Sequence, residues 1–140
     1  MNYEQSIDYI HSIPKFRRPL GNANLEKLLT QLDNPQKKLK FIHIAGTNGK
    51  GSTAAMTAEI LKKSGFKTGL FTSPYLEVFN ERIRINGENI TDNDLAEYVT
   101  RVKAIMEENN ALVSEFAFIT AVSFLYFYEK QCDIVVLEVG

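Results

Sequence analysis

A chain of 140 residues has the length of one ordinary domain, and a domain of that size buries roughly 68% of its unfolded surface, so one core is the starting expectation. With 16 Lys and Arg against 17 Asp and Glu, the net charge of -1 excludes any global pull toward nucleic acid or an anionic membrane, and partner choice falls to local sites. The single cysteine, Cys132, has no second thiol to pair with or to share a metal, and its setting beside a β-branched run predicts a buried or half-buried thiol. The opening MNYEQSIDYIHSIPKF lacks the charged start and unbroken apolar stretch of a signal peptide, and no apolar run approaches the roughly 18 residues of a membrane span. The cytoplasm is the expected compartment.

Tyr3, Ile7 and Ile10 recur at helical spacing and stop before Pro14, and Leu25, Leu28, Leu29 and Leu32 predict a second amphipathic helix ending before Pro35. Phe41-Ile42-His43-Ile44-Ala45 is short and apolar and ends at Gly46, which suits a buried strand. A glycine-rich loop follows at once. From Ser52 the residues Ala54, Ala55, Ala58, Ile60 and Leu61 favour a helix that Gly65 is placed to cap, and Lys67 to Thr72 reads as a second strand. Beyond Ser73-Pro74-Tyr75-Leu76 the alternation Arg82-Ile83-Arg84-Ile85 before Asn86-Gly87 predicts a small exposed hairpin. Thr91 or Asp92 can cap a helix bearing Leu95, Tyr98, Val99, Val102, Ile105 and Met106, closed by Asn109-Asn110. Phe116 to Tyr128 is apolar on most faces, a helix expected to be buried against a sheet, and Ile134 to Val139 is the third buried strand.

Strands separated by helices predict an α/β fold with a parallel sheet, flanking helices and right-handed crossovers. Such sheets place ligands at the carboxyl ends of their strands. Three polar features fall there: the loop Gly46-Thr47-Asn48-Gly49-Lys50-Gly51-Ser52 after the first strand, Thr72-Ser73 after the second, and Glu138 near the end of the third.

The loop has the chemistry of a phosphate site. Glycines let the backbone turn and approach a ligand, the amides at the following helix N-terminus favour anions, and Lys50 adds a point charge for the β and γ phosphates, with the hydroxyls of Ser52 and Thr53 beside it. A turn built only for packing gives no reason to place Lys and Ser/Thr after the glycine. The loop departs from the common pattern because Gly51 follows Lys50 and Ile44 stands at the expected first glycine. Gly49-x-Gly51-x-x-Ala54 also has the form of a dinucleotide fingerprint, but that fold would place an acid at the end of the second strand, which here ends Phe71-Thr72-Ser73-Pro74. From Gly51 one expects a positive φ or a close backbone approach that a side chain would obstruct. Glu138, after four apolar residues, has the pattern of an acid presented to a phosphate-bound Mg²⁺.

The stretches His43 to Thr53, Phe71 to Leu76 and Glu81 to Gly87 together resemble folylpolyglutamate synthase and its bifunctional dihydrofolate synthase forms, and the similarity runs from Tyr9 to Gly140. The resemblance implies a phosphate-loop fold of the Mur ligase central-domain type, incomplete here, with residues 1–140 as the first part of the ATP-binding domain and a C-terminal glutamate-binding domain absent. It implies an ATP-dependent amide ligase that phosphorylates the carboxylate of folate, or of dihydropteroate, and joins the acyl phosphate to L-glutamate. By the same resemblance Lys50 and Glu138 are catalytic, Gly46, Thr47, Asn48, Gly49, Lys50, Gly51, Ser52 and Thr53 hold ATP, and Ser73 and Glu138 coordinate Mg²⁺. Ser73, Pro74, Tyr75, Leu76, Phe79 and Arg82 line the folate site, with Tyr75 departing from the family's usual histidine. Since the family's chains are longer, this one reads as truncated and inactive by itself, from a monomeric parent, with an uncovered sheet edge that favours self-association. The other open reading is a generic nucleotide-binding module or a small-molecule kinase.

Overall fold

The computed structural model describes residues 1–17, 22–45, 49–73 and 77–138, and of Lys50 the backbone only. The sequence-predicted residues Gly46, Thr47, Asn48, Pro74, Tyr75 and Leu76 lie outside the described residues. The chain divides into two compact units, Met1–Gln36 with Asp92–Tyr126, and Lys37–Thr91 with Phe127–Gly140. The single core expected from length is thus resolved into two clusters.

The first unit is helical. In α1 (Tyr3–Ser12) Asn2 and Gln5 form a reciprocal capping box: the Gln5 amide donates to Asn2 Oδ1 at 2.8 Å and the Asn2 amide to Gln5 Oε1 at 2.9 Å, which satisfies two donors that a helix start leaves orphaned. The helix stops at Ile13, whose extended backbone is what the following Pro14 demands. α2 (Ala23–Gln31) ends as Asp33 and Asn34 turn to positive φ ahead of Pro35. α4 (Asp92–Glu108), numbered in chain order, begins directly after Thr91 and closes where Asn110 takes φ 49°. It buries Leu95, Tyr98, Val99, Val102 and Met106 on the stripe predicted from their spacing. α5 (Glu115–Glu129) contributes Phe118, fully buried, with Tyr9 edge-on to it at 5.5 Å between centroids.

Among its described residues the second unit holds five strands in the order β1-β5-β2-β3-β4, where β1 is Phe41–Ile44, β2 Thr68–Phe71, β3 Ile83–Ile85, β4 Glu88–Asn89 and β5 Ile134–Glu138. β5 pairs in parallel with β1 on one side and β2 on the other. β3 and β4 are antiparallel, so the sheet is mixed, with a parallel core as expected and a hairpin added to it. Among the described residues between β2 and β3 the one regular element is a 3₁₀ turn (Phe79–Arg82), and the eleven residues that join the strands are too few for the crossover that parallel neighbours require. Asn86 and Gly87 make the predicted turn with φ 51° and 83°.

α3 (Lys50–Lys63) covers one sheet face. Ala54, Leu70 and Val136 are its buried centre, with Ile42, Ile44, Ala58 and Leu61 packed around them; the small Ala54 and Ala58 let the helix lie close. Gly65 at φ 95° ends it as predicted, its amide donating to the Lys62 carbonyl at 3.0 Å. Alternation along β2 turns Gly69 to the opposite face from Leu70. There the ring of Phe127, from the last turn of α5, would stand 2.8 Å from a Cβ on Gly69. Only this end of α5 belongs to the sheet unit; its residues through Tyr126 belong to the helical one.

Candidate functional site

The three parallel strands run side by side, so their carboxyl ends fall at one edge of the sheet. In the register of β1 and β5, Ile44 lies opposite Glu138, and in that of β2 and β5, Phe71 lies opposite Leu137. Glu138 therefore ends the central strand of the three, flanked by the chain entering the glycine loop on one side and by Thr72-Ser73 on the other.

Glu138 is 3% exposed, a position that carboxylates occupy only when their oxygens are engaged. Its Oε2 accepts the Ser73 amide at 2.8 Å. The Ser73 hydroxyl in turn accepts from Arg82 Nη2 at 3.2 Å, and Arg82 Nε donates to the Thr72 carbonyl at 3.3 Å. Ser73, Arg82 and Glu138, singled out separately in the sequence, thus form one connected cluster. Phe79 is buried beside it, its ring centroid 5.4 Å from the Arg82 guanidinium.

On the β1 side, Gly49 adopts the left-handed conformation with φ 72° as the residue preceding α3. The helix then begins at Lys50, two residues earlier than the alanine-rich run suggests. Gly51 lies inside its first turn, without a positive φ, and a Cβ there would meet nothing within 4 Å among the described residues. The positive φ offered as one expectation for Gly51 is found at Gly49 instead, because a helix entry needs a single left-handed residue and Gly51 is already helical. Ser52 and Thr53 are exposed in the same turn, where the Thr53 amide closes the helix onto the Gly49 carbonyl at 2.9 Å. The amides before Thr53 have no carbonyl to reach within the helix, and the helix dipole adds positive potential there. An anion is the natural ligand for that end.

The donor set suits a hard, strongly hydrated cation. Among the described residues no three His, Cys, Asp or Glu side chains gather to make a protein-only metal cage. One carboxylate and one hydroxyl, with phosphate oxygens and water completing the sphere, is the habit of Mg²⁺.

Two features escaped sequence reasoning. Asn80, 5% exposed, donates from Nδ2 to the Ile90 carbonyl at 2.8 Å, tying the turn before Arg82 to the end of the hairpin. Glu81 accepts weakly from the Glu77 and Val78 amides; a helix-capping acid three residues after Val78 was its only signal. In the helical unit, a cavity of about 370 Å³ is lined by Phe16, Arg17, Asn24, Leu112, Phe116 and Thr120 among others. It contains none of the predicted site residues.

The folylpolyglutamate synthase of Lacticaseibacillus casei is 43% identical over 145 residues, covering 100% of this chain and 34% of that protein. The dihydrofolate synthase/folylpolyglutamate synthase of Bacillus subtilis (strain 168) is 38% identical over 143 residues, covering 99% and 33%. Among solved structures, the folylpolyglutamate synthetase from Lactobacillus casei superposes with a TM-score of 0.93 at 43% identity, covering 100% of this chain and 36% of that one. The chain belongs to the folylpolyglutamate synthase family. An FPGS–AMPPCP–folate complex is equally similar, with a TM-score of 0.93 at 42% identity over 100% of this chain and 35% of the other. No family model matches the chain. It spans about a third of the length of its folylpolyglutamate synthase relatives. Among the described residues no helix is long and apolar enough to cross a membrane.

Proposed function

We propose that this chain binds Mg²⁺·ATP at the carboxyl ends of β1, β5 and β2, and that it serves the ATP-dependent ligation of L-glutamate to a folate or to dihydropteroate. The observation that carries the reading is the Ser73–Glu138 hydrogen bond of 2.8 Å, which joins two strand ends beside the anion-favouring start of α3. A relative's complex with AMPPCP and folate supports both ligands. In this reading Gly46 to Thr53 wrap the triphosphate, with Lys50 on the β and γ phosphates and the α3 amides completing the cradle. Ser73 and Glu138 hold the metal. Pro74, Tyr75 and Leu76 reach the acceptor, while the buried Phe79 forms the wall behind Arg82.

A carboxylate is a poor electrophile, so amide formation needs it activated first, and phosphorylation by ATP provides a leaving group for attack by the glutamate amine. Bound Mg²⁺ contributes neutralisation of charge on the transferring phosphoryl group. The chain's own part is to hold the triphosphate in line and to limit water around it. A small-molecule kinase or generic nucleotide module shares the first half of this chemistry and has no use for a pterin.

Calorimetric titration with AMPPCP in excess Mg²⁺ tests the nucleotide reading. Lys50→Ala should weaken AMPPCP tenfold or more, the size of a lost charged hydrogen bond, and leave adenosine unaffected. Equal loss for both ligands sinks the assignment. Folate added to the AMPPCP-saturated protein separates the ligase from the kinase, since heat of folate binding is expected of the first alone.

A further inference from the structure

Arg82 is 7% exposed. Its guanidinium lies over two rings, 5.8 Å from the Phe71 centroid and 5.4 Å from that of Phe79, and it donates to the Thr72 carbonyl at 3.3 Å and to Ser73 Oγ at 3.2 Å. Its main-chain carbonyl also accepts the Thr72 amide at 3.0 Å. One residue thus grips the end of β2 from both its backbone and its side chain, while Glu138 holds the Ser73 amide at 2.8 Å.

A serine hydroxyl ordinarily rotates to suit its surroundings. A guanidinium is always charged and only donates, so Ser73 Oγ must face Arg82 with a lone pair. That fixes the oxygen and leaves its other lone pair for a second positive partner. We propose that Arg82 is a positioning residue that sets the Ser73 hydroxyl for the divalent cation accompanying the nucleotide, an inference that rests on the Mg²⁺·ATP reading above. Charge alone argues for the opposite outcome. A buried guanidinium beside a cation site repels the cation, so if Arg82 acted only through its field, removing it would tighten metal binding. A third role, direct contact with a phosphate, would make its loss felt whether or not metal is present.

These roles separate in one set of titrations. AMPPCP affinity is measured by calorimetry across a Mg²⁺ series and in EDTA, for the wild-type chain, Arg82→Ala, Arg82→Lys, Ser73→Ala and Ser73→Ala/Arg82→Ala. Positioning predicts that Arg82→Ala weakens apparent Mg²⁺ affinity tenfold or more, as losses of groups that orient a metal ligand do, with AMPPCP affinity in EDTA unchanged. On the Ser73→Ala background, Arg82→Ala should add nothing. Amide exchange in the ligand-free protein gives an independent readout: the Ser73 amide should exchange faster in Arg82→Ala while that of Leu70 in β2 does not.

Arg82→Lys keeps a charge and most of the volume but has no fork to span Thr72 and Ser73, so it should remain folded by thermal melting and still lose Mg²⁺ affinity. Unchanged or tighter Mg²⁺ binding in both variants, or equal loss of AMPPCP in EDTA, overturns the positioning role. Wild-type protein that binds AMPPCP with no Mg²⁺ dependence overturns the nucleotide–metal reading itself.

Discussion

Among the described residues the two units differ in which polar groups they bury. In the helical unit the fully buried polar side chains, Ser6 and Ser123, bond to carbonyls of their own helical surroundings, Ser6 Oγ to Asn2 at 2.8 Å and Ser123 Oγ to Thr120 at 2.8 Å. These are local satisfactions that leave nothing for a ligand. In the sheet unit Thr68 is likewise satisfied locally, its Oγ1 donating to the Phe66 carbonyl at 3.0 Å, but Asn80, Arg82 and Glu138 are buried as well, and each bonds to a stretch of chain at least nine residues away. Burying charge is costly unless it is engaged, so a fold that packs an arginine and a glutamate at one end of a sheet has concentrated that cost at one place. Burial of a hydroxyl therefore says little about function, and burial of connected charged groups at strand ends says a good deal.

The contrast predicts that the units fail differently. The largest effect should come from the helical unit, where Phe118→Ala removes a fully buried ring and should cost about 3–5 kcal/mol in urea denaturation. The protein that remains folded should bind AMPPCP with wild-type affinity, and a parallel loss of affinity would break the comparison. Gly69→Ala comes next. Its Cβ would stand 2.8 Å from the Phe127 ring in the sheet unit, overpacking worth about 1–3 kcal/mol, and Phe127→Leu on the same background should recover part of it. Gly49→Ala should cost about 1–2 kcal/mol, the usual strain of a left-handed conformation in a residue with a Cβ, while Gly51→Ala should be nearly neutral for stability. If Gly51 proved the costlier site, the assignment of the turn to Gly49 would be wrong.

Most of this fold is legible in the residues because its elements have strong punctuation. Pro14 and Pro35 end two helices, Gly65 and Asn110 take positive φ at the ends of two more, and Asn86-Gly87 turns the hairpin. The convergence of Ser73 and Glu138 at strand ends was readable too, because a parallel sheet brings such ends together whatever the intervening sequence. What was not readable was tertiary. Nothing in Arg82-Ile83-Arg84-Ile85 says that the hairpin joins the sheet, because strand pairing depends on partners distant in sequence. The clamp of Arg82 on Thr72 and Ser73 joins the two ends of the stretch between β2 and β3, where the sequence has no period to read. Gly49 and Gly51 look alike in a sequence; only the start of α3 tells them apart.

One further effect sits in the sheet unit and involves no ligand. Cys132 is half-buried, and its thiol is pushed up to about 11 from 9.0, chiefly by burial and further by the Asp133 carboxylate, with Lys67 opposing. A raised value means that the folded state favours the protonated thiol, so this contribution to stability is complete below pH 9.0 and is lost as pH climbs through about 11. Alkylation by iodoacetamide should show it. The folded chain should react with a rate that keeps climbing through pH 10, whereas the urea-unfolded chain should be half-maximal near pH 9.0 and level off above it. Two pH units leave about a hundredfold less thiolate below that range, but a more basic thiolate is also the better nucleophile and recovers about half of that on a logarithmic scale. The net expectation is roughly tenfold slower modification of the folded chain at pH 8. Equal rates folded and unfolded would mean that the thiol is solvated, and that the loop after α5 does not pack as the sheet unit requires.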